Sequence, residues 1–165
     1  DVYKTNWYYD AVQYVYKNGL MNGTGRNTFS PQDNTTRGMI VTILYRQSGS
    51  PAVRSDRATW WSDARAWAMN TGISDGTNMD APITREQLAT MLYRFALMNG
   101  KNAHESGSIG QFADAAQVSD WANEAMQWIA GEKILLGKPG NRIDPQGMAT
   151  RCEVAAMLMR FIENQ

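Results

Sequence analysis

The apolar positions of this chain form three helical stripes, each directly behind a Thr-Arg pair. Counted from the arginine, apolar residues stand at +3, +6 and +7, the spacing of one face of an α-helix, and a second arginine stands at +9. The pairs are Thr36-Arg37, Thr84-Arg85 and Thr150-Arg151, and the second arginines are Arg46, Arg94 and Arg160. Threonine is a good N-cap residue, so we predict that a helix begins at each first arginine.

The start of each predicted helix is a candidate anion site. The first backbone N–H groups of a helix have no partner inside it and carry partial positive charge. Thr84 with Gln87, and Thr150 with Glu153, complete a capping box. Met39 replaces the acceptor in the first copy.

A second pattern begins at a tryptophan and precedes each arginine stripe. An acid follows at +3, alanine at +4, an aromatic at +7, an aliphatic at +13 and glycine at +16, with the same spacing three times. Positions 0, +4 and +7 share one helical face, which predicts a first helix of roughly 10–12 residues and then a loop. The tryptophans are Trp7, Trp60 and Trp121, and the glycines are Gly23, Gly76 and Gly137.

The three copies span residues 1–48, 49–98 and 99–165, and together they predict one compact all-α domain. Each copy is a helix-loop-helix repeat, and such short pairs bury their apolar faces only by packing on one another. An open solenoid and a closed three-fold bundle both fit the pattern. The loop from glycine to arginine is shorter in copy two. We expect Phe29, Ile143 and, in that shorter loop, Met79 to fill the core.

Composition narrows the functional classes. Sixteen basic and sixteen acidic residues give zero net charge, which argues against a nucleic-acid partner. No apolar run approaches the ~18 residues of a membrane span, so we expect no membrane insertion. Because the chain begins at Asp1 without methionine, we expect it to be part of a larger protein.

The chemistry-bearing residues favour a protein without catalysis, cofactor or metal. The single Cys152 excludes an internal disulfide, and the single His104 has no triad or metal partner in the sequence. The loop at residues 75–80 has oxygen ligands but lacks the EF-hand pattern. One acid recurs in each copy, which suggests an equivalent structural role and not a catalytic pair; these acids are Asp10, Asp63 and Glu124.

Taken together, the tryptophan pattern and the Thr-Arg-x-[Glu/Gln] motif resemble the S-layer homology (SLH) module. The likeness is closest at residues 83–87 and at Phe112-Ala113-Asp114 leading to Trp121, and it covers three repeats, essentially the whole chain. The resemblance implies a pseudo-three-fold bundle, with a central three-helix prism, peripheral helices around it, and a groove between neighbouring repeats.

The resemblance also implies a role. Such modules anchor exported bacterial proteins non-covalently to a secondary cell-wall polysaccharide, typically through pyruvylated N-acetylmannosamine. On this basis we expect an extracellular location at the bacterial cell wall or S-layer, and fusion to a larger surface protein or enzyme. The alternative is a helical protein-interaction or S-layer assembly domain that binds a partner protein.

The recurring residues suit an acidic sugar. A guanidinium binds a carboxylate through two parallel N–H groups, glycine permits close approach of a ligand, and an indole offers an apolar wall. We therefore expect ligand binding at Arg37, Arg85, Arg151, Gly23, Gly76, Gly137, Trp7, Trp60 and Trp121, with Trp61 as a further wall.

Structural roles compete with this interpretation. An arginine at a helix start is often solvated or paired with another repeat, and a recurring tryptophan is more often core. The second arginines are expected to be structural. We expect the site that contains Arg151 to be the best preserved, and the short loop of copy two the least.

Overall fold

The computed structural model describes residues 1–103 and 107–165, which contain six α-helices and no β-sheet. None of the described helices has the length and apolar character needed to cross a membrane. Two short 3-10 helices, Ala115–Gln117 and Asp120–Ala122, lead into the helix that begins at Asn123. The helices are α1 (Tyr9–Lys17), α2 (Arg37–Gln47), α3 (Ser62–Thr71), α4 (Arg85–Met98), α5 (Asn123–Gly131) and α6 (Arg151–Glu163). His104 lies outside the described residues.

The tryptophan helices α1, α3 and α5 begin later than predicted. Each starts two residues after its tryptophan and is nine or ten residues long. The alanine at +4 is buried in every copy, and the aromatics at +7 are buried at Trp67 and Trp128. The predicted helical face was therefore right at +4 and +7 and wrong at the tryptophan itself, which precedes the helix and is free to point outwards.

The arginine helices α2, α4 and α6 begin as predicted, at the first arginine of each copy. The Thr36 hydroxyl accepts a hydrogen bond from the Met39 amide but forms no capping box. Both predicted boxes are present at Thr84 and Thr150. Each cap of this kind stabilises a helix by about 1 kcal/mol.

Helices pair between copies. α1 packs on α6, α3 packs on α2, and α5 packs on α4. Each tryptophan helix thus covers the arginine helix of the preceding copy, and copy one covers copy three. This closes the ring and decides between the two predicted arrangements in favour of the closed bundle.

A ring of three backbone hydrogen bonds lies at the centre of the bundle. Thr35 N–H donates to the Ala149 carbonyl (3.0 Å), Ala149 N–H to Ile83 (2.9 Å), and Ile83 N–H to Thr35 (2.8 Å). All three residues are fully buried. Their backbone N–H and C=O groups are therefore satisfied by the hydrogen bonds of the ring and not by water. Because each residue precedes the capping threonine of its copy, the ring holds the starts of α2, α4 and α6 together around the pseudo-three-fold axis.

The core lies between the two layers of helices. Trp128 packs on Phe161, and Phe161 on Phe95, with ring centroids 6.3 and 6.0 Å apart. The loop residues Phe29, Ile143 and Met79 are all buried as predicted.

Candidate functional site

Three grooves lie at corresponding positions around the described part of the bundle, and each is built from all three copies. One copy supplies a loop and an arginine helix, the preceding copy supplies its first arginine, and the following copy supplies its tryptophan. Groove A combines the loop of copy one with Arg151 and Trp60. Groove B combines the loop of copy two with Arg37 and Trp121, and groove C the loop of copy three with Arg85 and Trp7. Their volumes are about 230, 290 and 490 Å³.

The sequence predicted that arginine, glycine and tryptophan line the grooves, but not which copies contribute them to each groove. The arginine, glycine and tryptophan of one copy do not share a groove. Arg85, for example, lies beside Gly137 and Trp7. Packing between copies produces this exchange, because each helix start projects into the loop of the next copy.

The first arginines join the copies through backbone carbonyls. The Nε of Arg151 donates to the Phe29 carbonyl (2.7 Å), and the Nε of Arg85 to the Ile143 carbonyl (3.0 Å). The Nη2 of Arg151 reaches the Asn22 carbonyl (2.6 Å) and that of Arg85 the Leu136 carbonyl (3.0 Å). These carbonyls occupy equivalent positions in the loops of copies one and three. Both arginines therefore have the structural role between repeats that competed with the ligand-binding interpretation.

Arg37 makes the equivalent tie to the shorter loop. Its Nε donates to the Thr77 carbonyl (2.9 Å), and its Nη2 contacts the Asp75 carboxylate (3.1 Å). The short loop therefore replaces one backbone carbonyl with a side chain.

The helix starts do not offer free amides. In α6 the Arg151 amide donates to the Asp33 carbonyl (2.8 Å) and the Cys152 amide to the Pro31 carbonyl (2.9 Å). The first two amides of α2 and α4 donate to the next copy in the same way, and the capping threonine accepts from the third. The expectation of an anion site at unpaired amides is therefore wrong, and the positive charge of the grooves comes from side chains.

Groove C contains a network of ion pairs. Glu153 contacts Arg85 (3.1 Å) and Lys138 (3.3 Å), and Lys138 also contacts Asp144 (2.7 Å). Burial tends to raise the pKa of Glu153, but the Thr150 amide and the two cations outweigh it and hold that pKa below its ordinary value. Burial lowers the pKa of the Arg85 guanidinium, against the attraction of Glu153.

The three tryptophans at the groove edges are exposed. Trp7, Trp60 and Trp121 are 65%, 62% and 57% exposed. An indole is a large apolar surface that proteins usually bury, and here the same exposure recurs at three equivalent sites. The prediction that these residues are available as walls is compatible with their position, and core packing does not account for them.

Two of the three predicted glycines line a groove. Gly23 and Gly137 stand where the loop turns back on itself, and an added Cβ would lie 2.7 Å from the Thr28 carbonyl oxygen or from the Phe112 ring. Loop closure therefore requires glycine there. Gly76 is buried against Met69 and does not line groove B, so this predicted site residue is misplaced. Gly76 lies instead beside Met69 and Arg65 of α3, and the Arg65 guanidinium donates to its carbonyl.

The second arginines lie in the grooves, although the sequence suggested only a structural role. Arg160 and Arg94 donate to the carbonyls of Ile134 (3.2 Å) and Ile73 (3.3 Å) while lining grooves C and B. Arg46 lines groove A. Their strict recurrence at +9 was the signal for this site.

Two aspartates to which the sequence analysis gave no role hold the loops. The Asp114 carboxylate accepts the amides of Ile143 (2.7 Å) and Asp144 (2.8 Å), and Asp1 accepts those of Phe29 and Ser30. The Phe-x-Asp lead-in of copy three carried that signal. Copy two lacks it and has the short loop.

Of the other candidate residues, Trp61 lies outside the three grooves and Cys152 lines groove C. The Trp61 indole donates to Asp80 (2.9 Å) and packs where a Cβ on Gly38 would stand, which explains the glycine in that first turn. Cys152 is buried, and burial raises the pKa of its thiol, so it is not a reactive thiolate. Among the described residues, no cluster of His, Cys, Asp or Glu has the composition to hold a metal ion.

A family model described as "S-layer homology domain" matches residues 1–38 and 111–155. The chain is 29% identical to the "Exoglucanase XynX" of Acetivibrio thermocellus, over 97% of this chain and 16% of that protein. It is 24% identical to the "Surface-layer 125 kDa protein" of Lysinibacillus sphaericus, over 94% of this chain and 14% of that protein. With the "Cellulosome-anchoring protein" of Acetivibrio thermocellus it shares 25% identity, over 87% and 35% of the two chains.

The chain spans only a small part of these relatives. Proteins named as enzymes and proteins named as surface-layer or anchoring components contain the same segment. The presence of the shared segment is therefore not tied to one named activity among these relatives.

Proposed function

The chain belongs to the S-layer homology domain family and is a cell-surface anchoring module, and we propose that its grooves bind a secondary cell-wall polysaccharide. The proposed contact is a negatively charged terminus, of which pyruvylated N-acetylmannosamine is the leading candidate. We further propose that the module has no catalysis of its own and tethers a larger exported surface protein or enzyme.

The recurrence of an exposed indole above an arginine is the observation that carries this proposal. Each groove has a tryptophan at its edge and two arginines within it. An indole face packs against the C–H face of a sugar ring, and a guanidinium binds a carboxylate through directed, charge-assisted hydrogen bonds. A pyruvate ketal presents both features together, because it fixes a carboxylate on a sugar ring.

The charge of the grooves also supports an anionic ligand. The whole chain carries no net charge, yet the arginines and Lys138 outnumber the carboxylates that line the three grooves. Clefts lined by one sign of charge concentrate ligands of the opposite sign. A neutral protein with locally positive clefts suits a sparse anionic terminus better than a polyanion such as nucleic acid.

Calorimetric titration tests the proposal. The chain is titrated with a synthetic pyruvylated N-acetylmannosamine glycoside and, as control, with the same glycoside without pyruvate. We expect binding of the pyruvylated sugar only, and weaker binding when the pH falls below the pKa of the ligand carboxylate. Equal binding of both sugars would contradict recognition of the anion, and no binding of either would contradict the proposed ligand.

A wall-capture experiment separates the proposal from the protein-interaction alternative. Cell walls stripped of protein, but retaining their polysaccharide, should capture the domain, and walls stripped of polysaccharide should not. Capture that requires wall proteins would favour the alternative.

A further inference from the structure

We propose that the three grooves are chemically different and that groove A alone is the high-affinity site for the anionic terminus. This inference rests on the proposed function and deepens it. Groove A is lined by the loop Leu20–Thr24, by Arg151 and Arg46, and by Trp60. In grooves B and C the protein's own carboxylates compensate the first arginine.

A carboxylate within the protein already pairs with the first arginine of grooves B and C. Asp75 contacts Arg37 at 3.1 Å, and Glu153 contacts Arg85 at 3.1 Å. Glu153 is held ionised by its partners, as its lowered pKa indicates. A ligand carboxylate that approached either arginine would have to displace this partner or lie beside a like charge, and both cost binding energy.

Arg151 has no such partner in the described part of the chain. It is 6% exposed, and its guanidinium donates hydrogen bonds to the carbonyls of Phe29 and Asn22. Its Nη1 makes no hydrogen bond there and retains some contact with solvent. Asp33 attracts this guanidinium from outside the groove but forms no ion pair with it. Groove A is therefore lined by a buried cation whose terminal nitrogen Nη1 is not hydrogen-bonded to the described protein.

The second arginine strengthens this difference. In grooves B and C, Arg94 and Arg160 each donate to a loop carbonyl. Arg46 in groove A is exposed, and among the described residues its guanidinium has neither a hydrogen bond nor an ion pair. Arg46 can therefore turn towards a ligand without breaking a bond.

The grooves also differ in whether an acid is among the residues that line them. Groove A is lined by two arginines and no acid. Groove B has two arginines with Asp75, and groove C has Arg85, Arg160 and Lys138 with Glu153. Lys138 of groove C is itself paired twice, with Glu153 and Asp144. Groove C is the largest of the three, but Arg85, Lys138 and Glu153 are paired with one another there. Because Arg160 also donates to a loop carbonyl, groove C is better suited to an uncharged sugar ring.

Two sequence positions create the difference. The third helical residue is Met39 in copy one, Gln87 in copy two and Glu153 in copy three. The residue before the loop glycine is Asn22, Asp75 or Leu136 in the same order. Copy one is the one copy with an uncharged residue at the first position and no acid at the second. Because Met39 stands where copy three has Glu153, no carboxylate at this position competes with a ligand for Arg151.

The first arm of the test compares the exposed tryptophans, which can be replaced without opening the core. The pyruvylated N-acetylmannosamine glycoside is titrated into wild type and into Trp60→Ala, Trp121→Ala and Trp7→Ala. Tyr16→Ala, an exposed aromatic outside the grooves, is the control. We expect one high-affinity site per chain. The loss of affinity in Trp60→Ala should exceed that in Trp7→Ala and Trp121→Ala at least tenfold, and Tyr16→Ala should bind as wild type.

The second arm is a gain of binding. Glu153→Gln removes the negative charge of this side chain from groove C and keeps its shape. The capping box of Thr84 with Gln87 shows that glutamine is compatible with the cap at this helical position. We expect a second site for the pyruvylated sugar in Glu153→Gln, with the first site unchanged in affinity.

The outcomes separate this inference from the proposed function. Three equivalent sites in wild type, or equal losses in the three tryptophan variants, would overturn the assignment to groove A while leaving the proposed function intact. An unchanged stoichiometry in a folded Glu153→Gln would overturn the role given to internal carboxylates. No binding of the pyruvylated sugar to any variant would overturn both the inference and the proposed function.

Discussion

The first arginines and the tryptophans recur with equal regularity in the sequence, but they lie in opposite environments. Arg85 and Arg151 are 3% and 6% exposed and are tied to the carbonyls of a neighbouring copy. Trp7, Trp60 and Trp121 are mostly exposed at the edges of the same grooves. Recurrence alone therefore does not distinguish a residue that holds the fold from one that is available to a ligand.

This comparison changes how binding experiments on the grooves should be interpreted. Loss of binding after an arginine substitution combines loss of a ligand contact with loss of a tie between copies. Loss of binding after a tryptophan substitution reports mainly the contact. The expected effects of substitutions on stability therefore range from large at the buried first arginines to small at the exposed tryptophans.

Among the groove residues, the largest effect on stability is expected for Arg85→Ala. The substitution removes hydrogen bonds to Ile143 and Leu136 and an ion pair with Glu153. Because the two carbonyls and the carboxylate are then left without this donor in a buried region, we expect the free energy of unfolding to fall by about 3 kcal/mol or more. Urea denaturation followed by circular dichroism measures the change.

Arg37→Ala is the matched control for this loss. Arg37 pairs with Asp75, whose side chain is 68% exposed, and exposed ion pairs contribute little. The destabilisation should therefore be clearly smaller than that of Arg85→Ala. Equal destabilisation in the two variants would contradict the distinction between buried and exposed ties.

A smaller loss is expected when the loop clamp of copy three is weakened. The carboxylate of Asp114 accepts two amides, those of Ile143 and Asp144. Asparagine offers one oxygen in place of two, so Asp114→Asn should lower the free energy of unfolding by about 1–3 kcal/mol. Hydrogen exchange should show faster exchange at those two amides, and unchanged exchange there would refute the clamp.

Lowering the pH should weaken the ion pair between Arg85 and Glu153, because Glu153 then becomes protonated. The folded-state pKa of Glu153 is lowered, so its contribution is fully present above the ordinary pKa of a glutamate and is lost as the pH falls through the lower folded value. Urea titrations at a series of acidic pH values should therefore show a decline in stability there. The Glu153→Gln variant should show a shallower decline, and identical pH profiles would contradict this role.

The smallest effect on stability is expected at the tryptophans. Trp60→Ala removes an exposed indole, so we expect the free energy of unfolding to change by no more than about 0.5 kcal/mol. Trp128→Ala is the contrasting variant, because that ring is buried against Phe161, and its loss should cost about 3–5 kcal/mol. Comparable losses in the two variants would mean that the groove tryptophans are structural.

Local patterns in the sequence predicted the helices well because their causes are local. The starts of α2, α4 and α6 follow from a threonine cap and an apolar stripe, and the two capping boxes follow from Gln87 and Glu153. The family resemblance supplied the closed bundle, which periodicity had left open. The packing of α1 on α6 settles that point.

The composition of the grooves could not be predicted in the same way because it depends on contacts between copies. Nothing local shows that the loop at Pro31 and Asp33 satisfies the first amides of α6. Nor does the repeat pattern show that Gly76 turns away from its groove, or that Arg85 lies beside Gly137. These features arise only when each helix start meets the loop of the next copy.

The measurement that tests the central claim most directly combines stability and binding in one triple variant, Trp7→Ala with Trp60→Ala and Trp121→Ala. The account predicts that this variant unfolds cooperatively at nearly the urea concentration of wild type and no longer binds the pyruvylated sugar in calorimetry. A variant that folds normally and binds the sugar with wild-type affinity would contradict the claim that the exposed tryptophans of the grooves form the ligand-binding surface.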